Sequence, residues 1–153
     1  MAGDVRRHRH EDFMKAGRDS TVAVLAVSSS PEDHSSLEAI LAHSRWRLYH
    51  SSCHFRAIAL LAEHSIAVVI VDADLQPGAW RDFLATRESL PGSPLVIVAS
   101  RLADDRLWSE ALNLGAYDVL AKPFRAREVF HSVSLAWRHW NERCEECACA
   151  AAG

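Results

Sequence analysis

Asp72 and Lys122 are the two side chains best placed to do chemistry. Asp72 ends the run Val68-Val-Ile-Val-Asp72, and Lys122 follows Val119-Leu-Ala121. A carboxylate at the end of a buried strand is costly unless something pairs with it or uses it. On neighbouring strand ends, the ammonium and the carboxylate can pair. The same geometry lets Lys122 steady the extra negative charge of a phosphoryl group placed on Asp72. Ser100, after the run Leu95-Val-Ile-Val-Ala99, could add a hydroxyl donor. A structural ion pair that fixes the crevice is the plainer alternative.

Other reactive clusters carry less. Cys53, Cys144, Cys147 and Cys149 form no spread framework of bridges, so a reducing cytoplasm is the expected setting. Cys144-x-x-Cys147-x-Cys149 could hold a soft metal, but no second Cys/His pair of matching spacing accompanies it. Nine histidines are scattered along the chain without a His-Glu-x-x-His or Cys₂His₂ spacing. Those at 34, 43 and 64 fall near helix ends, where solvation is the ordinary state. No Gly-rich phosphate loop and no Gly-x-Ser-x-Gly elbow occurs, which argues against nucleotide binding and hydrolysis. The formal net charge of -3 gives no whole-chain case for nucleic-acid binding. No apolar run approaches the ~18 residues of a membrane helix, and the polar start is not a secretory signal.

The elements that must position Asp72 and Lys122 follow one rhythm. Residues 1–20 hold five Lys/Arg, four Asp/Glu and two His and read as a flexible N-terminal arm. Across 21–140, short apolar runs alternate with amphipathic stretches. The strands are 21–27, 45–50 (wetter, at a sheet edge), 66–72, 95–98 and 117–121. The helices start at Pro31, with Ser30 as N-cap and Asp33 in the first turn, and then run over 53–63, 79–88 and from Asp104 or Asp105 to Gly115, with a last helix that carries Val129, Val133, Ala136 and Trp140. Residues 141–153 read as a tail. Five strand–helix units, with strands apolar on both faces, predict an α/β doubly wound three-layer sandwich around a five-stranded parallel sheet. Its crevice lies at the carboxyl ends of the strands, at Ser28-Ser29, Asp72-Ala-Asp74, Ala99-Ser100 and Lys122-Pro123.

These motifs carry a resemblance. The strand ending in Asp72, the segment Leu114-Gly-Ala-Tyr-Asp-Val-Leu-Ala-Lys-Pro-Phe124 and the five-unit order resemble a response-regulator receiver domain, the CheY-like, flavodoxin-like module of two-component signalling. The resemblance covers about residues 21–140. It implies a non-enzymatic signalling role, Asp72 as phosphoacceptor, Lys122 and Ser100 as phosphoryl-stabilising groups, and Pro123 after a cis peptide bond. A histidine kinase or another signalling protein is the implied partner. With few residues after Trp140, a stand-alone receiver is expected.

The departures from the family pattern are specific. Its receivers hold Mg²⁺ with an acidic pair after the first strand, where this chain has Ser28 and Ser29. Mg²⁺ prefers charged oxygen ligands. Asp72 and a carbonyl near Asp74 are what remain, so metal binding is expected to be weak. Glu32 and Asp33 read as first-turn residues favoured by the helix dipole, with recruitment as substitute metal ligands the lesser alternative. Counting from Lys122 puts the switch hydroxyl at Ser100; counting from Pro94 puts Ala99 there. The aromatic switch position is Val119, with Tyr117 two residues away on the expected same face. An alternative function is therefore a phosphorylation-independent pseudo-receiver that acts as an interaction module. Trp108 and Trp137, each one residue off a core-facing stripe, suggest a homodimer face on the last two helices.

Overall fold

The computed structural model describes residues 22–75 and 78–152; the arm over 1–20 lies outside them. In chain order the elements are β1 (Ala23–Val27), α1 (Pro31–Leu41), β2 (Arg47–Ser51), α2 (His54–Glu63), β3 (Val68–Asp72), α3 (Ala79–Ala85), a 3₁₀ turn (Arg87–Ser89), β4 (Leu95–Ser100), α4 (Asp105–Asn113), β5 (Asp118–Ala121) and α5 (Ala126–Ala152). All strand pairs are parallel, in the order β2-β1-β3-β4-β5. The expected (βα)₅ three-layer architecture is the one observed, with the wetter β2 at an edge.

Strand alternation divides the core between two helix layers. Leu25, Val27, Val69 and Val71 face one way and pack with Leu61, Phe83, Leu84 and Ala111, from α2, α3 and α4. Val24, Ala26, Val68 and Ile70 face the other way and pack with Leu37 of α1 and Val129, Val133, Ala136 and Trp140 of α5. Burial on both faces explains why β1 and β3 read as continuous apolar runs.

The chain stops and turns are chemically specific. Asp104 caps α4 by accepting from the Leu107 N–H at 2.9 Å. Gly115 ends the following turn at φ +101°, and a Cβ there would lie 2.5 Å from the Arg87 guanidinium carbon. That guanidinium donates to the Leu84 and Leu114 carbonyls, so a missing side chain lets one arginine tie two helix ends together.

The last element differs from the sequence expectation. Residues 141–152 are not a separate tail but continue α5, which at 1.5 Å per residue runs about 40 Å. The core stripe at 129, 133, 136 and 140 continues through Cys144 at helical spacing, and Cys144 packs half-buried against the α1/α5 core. Trp140 and Arg143 also bind the loop before β4, donating to the Gly92 carbonyl at 2.9 Å and the Ser93 carbonyl at 3.0 Å. Burial pushes the Cys144 thiol up to about 11. Alkylation by iodoacetamide at pH 8 should therefore reach the exposed Cys53, Cys147 and Cys149 first. Cys144 should lag an ordinary thiol by roughly a hundredfold, and its rate should keep climbing toward pH 11. Equal rates at all four cysteines, read by peptide mass mapping, would contradict the packing of this helix end.

Candidate functional site

Strand order reverses between β1 and β3, which opens a crevice at their carboxyl ends. Ser28 follows β1, Asp72 ends β3 and Lys122 follows β5, so the topology alone brings the three together. The Lys122–Pro123 bond is cis, as the resemblance implied.

The Lys122 ammonium lies 2.8 Å from Asp72 Oδ1 and 2.6 Å from Asp33 Oδ2. It therefore bridges two carboxylates. The Lys122, Asp33 and Asp72 side chains are 6%, 9% and 5% exposed, so this is a buried cluster. Asp72 Oδ1 also accepts the Asp74 backbone N–H at 2.9 Å. Ser28 Oγ lies 2.6 Å from Asp33 Oδ2 and 3.2 Å from Asp72 Oδ2; it has one hydrogen, and the shorter contact takes it. The same oxygen accepts the Ser30 N–H at 3.1 Å. Among the described residues no buried side-chain polar atom lacks a partner, which is the condition for such a cluster to persist.

Asp33 is the member for which the sequence favours a helix-dipole role over one in the site. It sits in the first turn of α1, but Ser30 makes no side-chain cap bond and Asp33 turns into the crevice. A signal for this was present. Asp33, Leu37 and Leu41 recur every four residues, and these three are the buried residues of α1. Glu32 instead stays exposed, 3.7 Å from Arg101.

The remaining site residues divide. Ser29 and Asp74 are exposed. Ala99, not Ser100, is in register with Asp72. The Ser100 hydroxyl is buried and accepts the Leu102 N–H at 3.1 Å, while its carbonyl accepts the Lys122 N–H at 3.0 Å. Val119 packs in the α2–α4 layer. Tyr117 packs against the opposite layer, edge-on to His139. It precedes β5 in a bend, so the two-residue alternation that predicted a shared face does not reach it. Burial, followed by the charges of Asp118 and Glu142, raises its phenol above the ordinary range.

His34 is not merely solvated. Its Nε2 donates to the Ser28 carbonyl at 2.8 Å, and its Nδ1 is 3.0 Å from His50 Nδ1. His50 Nε2 is in turn 2.7 Å from Glu38 Oε1. This chain ties the loop after β1 to the edge strand.

The two tryptophans differ in setting. Trp108 is 37% exposed and lines a groove with Val119, Ala121, Glu128 and His131. Trp137 is half-buried against the α1/α5 core. It lies two helical turns past Phe130, whose ring meets that of Trp46 at a tilt of 59° with centroids 4.9 Å apart, so it faces the side of α5 toward α1 and β2. Leu112, one helical turn on from Trp108 in α4, is 47% exposed, and Leu102, before that helix, is 78% exposed.

A receiver-type site implies Mg²⁺, and the side chains present do not fit it. Both buried carboxylates hold the same ammonium, and the acids expected after β1 are hydroxyls. No group of three His, Cys, Asp or Glu among the described residues could hold a metal. The cation that bridges the two carboxylates of this crevice is Lys122.

Solved structures share the whole fold. The chain is similar to a response regulator from Thermotoga maritima, with 23% identity over 77% of this chain and 98% of that one and a TM-score of 0.69. It is similar to the signal receiver domain of an HD domain-containing protein from Pseudomonas fluorescens, at 24% identity, 80% and 98% coverage and a TM-score of 0.70. The beryllofluoride-activated NtrC4 receiver domain dimer matches at 24% identity, 77% and 98% coverage and a TM-score of 0.68. No family model matches the sequence, and no curated protein matches it. The fold is that of the CheY-like receiver domains of response regulators. No helix among the described residues is long and apolar enough to cross a membrane.

Proposed function

We propose that this chain is a receiver-type module of two-component signal transduction whose output is a protein contact. Asp72 holds the candidate phosphoacceptor position and Lys122 the place of its charge partner. Ser100 would have to turn from the Leu102 N–H to serve a phosphoryl group. In this reading the chain is not itself an enzyme, works in the cytoplasm, and has a histidine kinase or another signalling protein as its partner. One observation carries the emphasis on contact over phosphotransfer. The Lys122 ammonium is already divided between two buried carboxylates, and phosphoryl transfer to an Asp depends on a cation that neutralises developing charge. The phosphorelay reading keeps its support from the Asp72–Lys122 pair itself.

The contact surface lies on α4, β5 and α5. Trp108 and Leu112 of α4, and Leu102 just before it, expose apolar area, and Trp108 shares a groove with Glu128 and His131. Aromatic anchors near an interface centre carry ~2 kcal/mol or more, a factor of about 30 in dissociation constant. Sedimentation of the parent should show homodimers, weakened about that much in Trp108→Ala and unchanged by acetyl phosphate with Mg²⁺. A parent that stays monomeric at high concentration would refute the self-contact. Dimers that form only with acetyl phosphate would establish a conventional phospho-switch instead.

A further inference from the structure

Asp33 belongs to a helix, yet it spends its carboxylate on the lysine of the strand-end site. It takes the shortest contacts in the crevice, 2.6 Å to Lys122 Nζ and 2.6 Å to Ser28 Oγ. These are the donors that face an anion placed beside Asp72. On its inner side the surroundings are Leu37, Ile70, Ala99 and Phe124, and on its outer side the crevice adds Arg101, which is exposed and 3.7 Å from Glu32. We propose that Asp33 is an internal anion that occupies Lys122 where an incoming oxyanion, such as a phosphoryl group on Asp72, would otherwise be received. The site is thereby held filled by the protein's own carboxylate. The proposal rests on the receiver-type reading and supplies the reason for insensitivity to a phosphodonor.

The physical argument is one of charge and donors. Two carboxylates and one ammonium already leave the buried cluster one negative charge in excess. A phosphoryl group on Asp72 would put roughly two negative charges in place of the carboxylate's one, and the further cation that lines the crevice, Arg101, is exposed and 3.7 Å from Glu32. It would have to displace Asp33 from Lys122, and Asp33 is tethered by the α1 backbone, so it competes at high effective concentration. Sequence position supports an exchange of roles. The acids absent at Ser28 and Ser29 are matched by an acid one helical turn further on, on the buried face of α1.

The chain has two lysines, Lys15 and Lys122, which makes the test direct. Acetylation by acetic anhydride, with Lys15 as the reference within each sample, reports how firmly the Lys122 amine is held. In Asp33→Asn, which keeps the volume and loses the charge, Lys122 should react at least about tenfold faster relative to Lys15 than in the parent. In Asp33→Ala, sodium formate should slow that reaction again by entering the vacated place, while sodium chloride at equal ionic strength should not. Equal Lys122 reactivity in the parent and Asp33→Asn would overturn the proposal even if Asp33→Ala does not fold. Formate protection of Lys122 in the parent would overturn it too, because the place would then be open. Neither result bears on dimerisation through α4–β5–α5, so failure here is distinguishable from failure of the receiver-type reading.

Discussion

Lys122→Ala should cost about 3–5 kcal/mol of stability, the penalty for leaving buried carboxylates without their cation. This exceeds the cost of breaking one surface ion pair, because Lys122 serves both Asp33 and Asp72 and is 6% exposed. Against a typical total of 5–15 kcal/mol the loss is large. Urea denaturation followed by tryptophan fluorescence would read it as a lower midpoint at unchanged slope. The double variant Lys122→Met/Asp33→Asn should recover part of the loss, because it removes a charge together with the cation that served it. The coupling between positions 33 and 122 should then be on the order of 1–3 kcal/mol. A Lys122→Ala protein as stable as the parent would show that the bridge contributes nothing and would remove the case for a receiver-type site.

The scale of that prediction depends on something the sequence showed only in part. The fold was legible because strands buried on both faces read as unbroken apolar runs, and five of them alternate with amphipathic stretches. Asp72 and Lys122 were legible because each ends such a run, and parallel topology puts all strand ends on one edge. Asp33 was legible as a helix residue and, in the site, only as a lesser candidate for a metal ligand rather than as a partner of Lys122. A first-turn acid already has a local explanation in the helix dipole, and only its four-residue step from Leu37 marks it as inward-facing. The same limit applies to Trp137 and Tyr117. Periodicity says which residues lie beside a stripe, but not whether the neighbouring helix covers them. It also fails in the bend before β5, where strand alternation has not begun. Residues 141–152 read as a tail because their stripe passes from Trp140 to small side chains and thiols, a weak apolar signal on its own. The helix continues because Arg143 and Trp140 tie it to the loop before β4.

Magnesium should bind this protein poorly, and the reason can be restored by design. Titration followed by amide shifts around Asp72 should show no saturation below roughly millimolar metal, the regime of sites short of charged, well-ordered ligands. A unit charge at 4 Å is worth about 4 kcal/mol at an effective dielectric constant of 20, so absent acids matter more than any small change in loop geometry. Ser28→Asp with Ser29→Asp returns two such charges at the end of β1. Position 28 is buried against Asp33 and Asp72, so the new carboxylate there must also compete with Asp33 for Lys122. Affinity should rise at least about tenfold in the double variant, and further when Asp33→Asn is added, because Lys122 then has one carboxylate fewer to serve. The parent should likewise remain unlabelled at Asp72 when treated with acetyl phosphate and Mg²⁺, a reaction in which the phosphoryl group would pass to Asp72 and acetate would leave. Saturation of the parent well below millimolar metal, or ready labelling of Asp72, would mean that Lys122 yields its place easily. The crevice would then be an ordinary phosphoacceptor site despite its two serines.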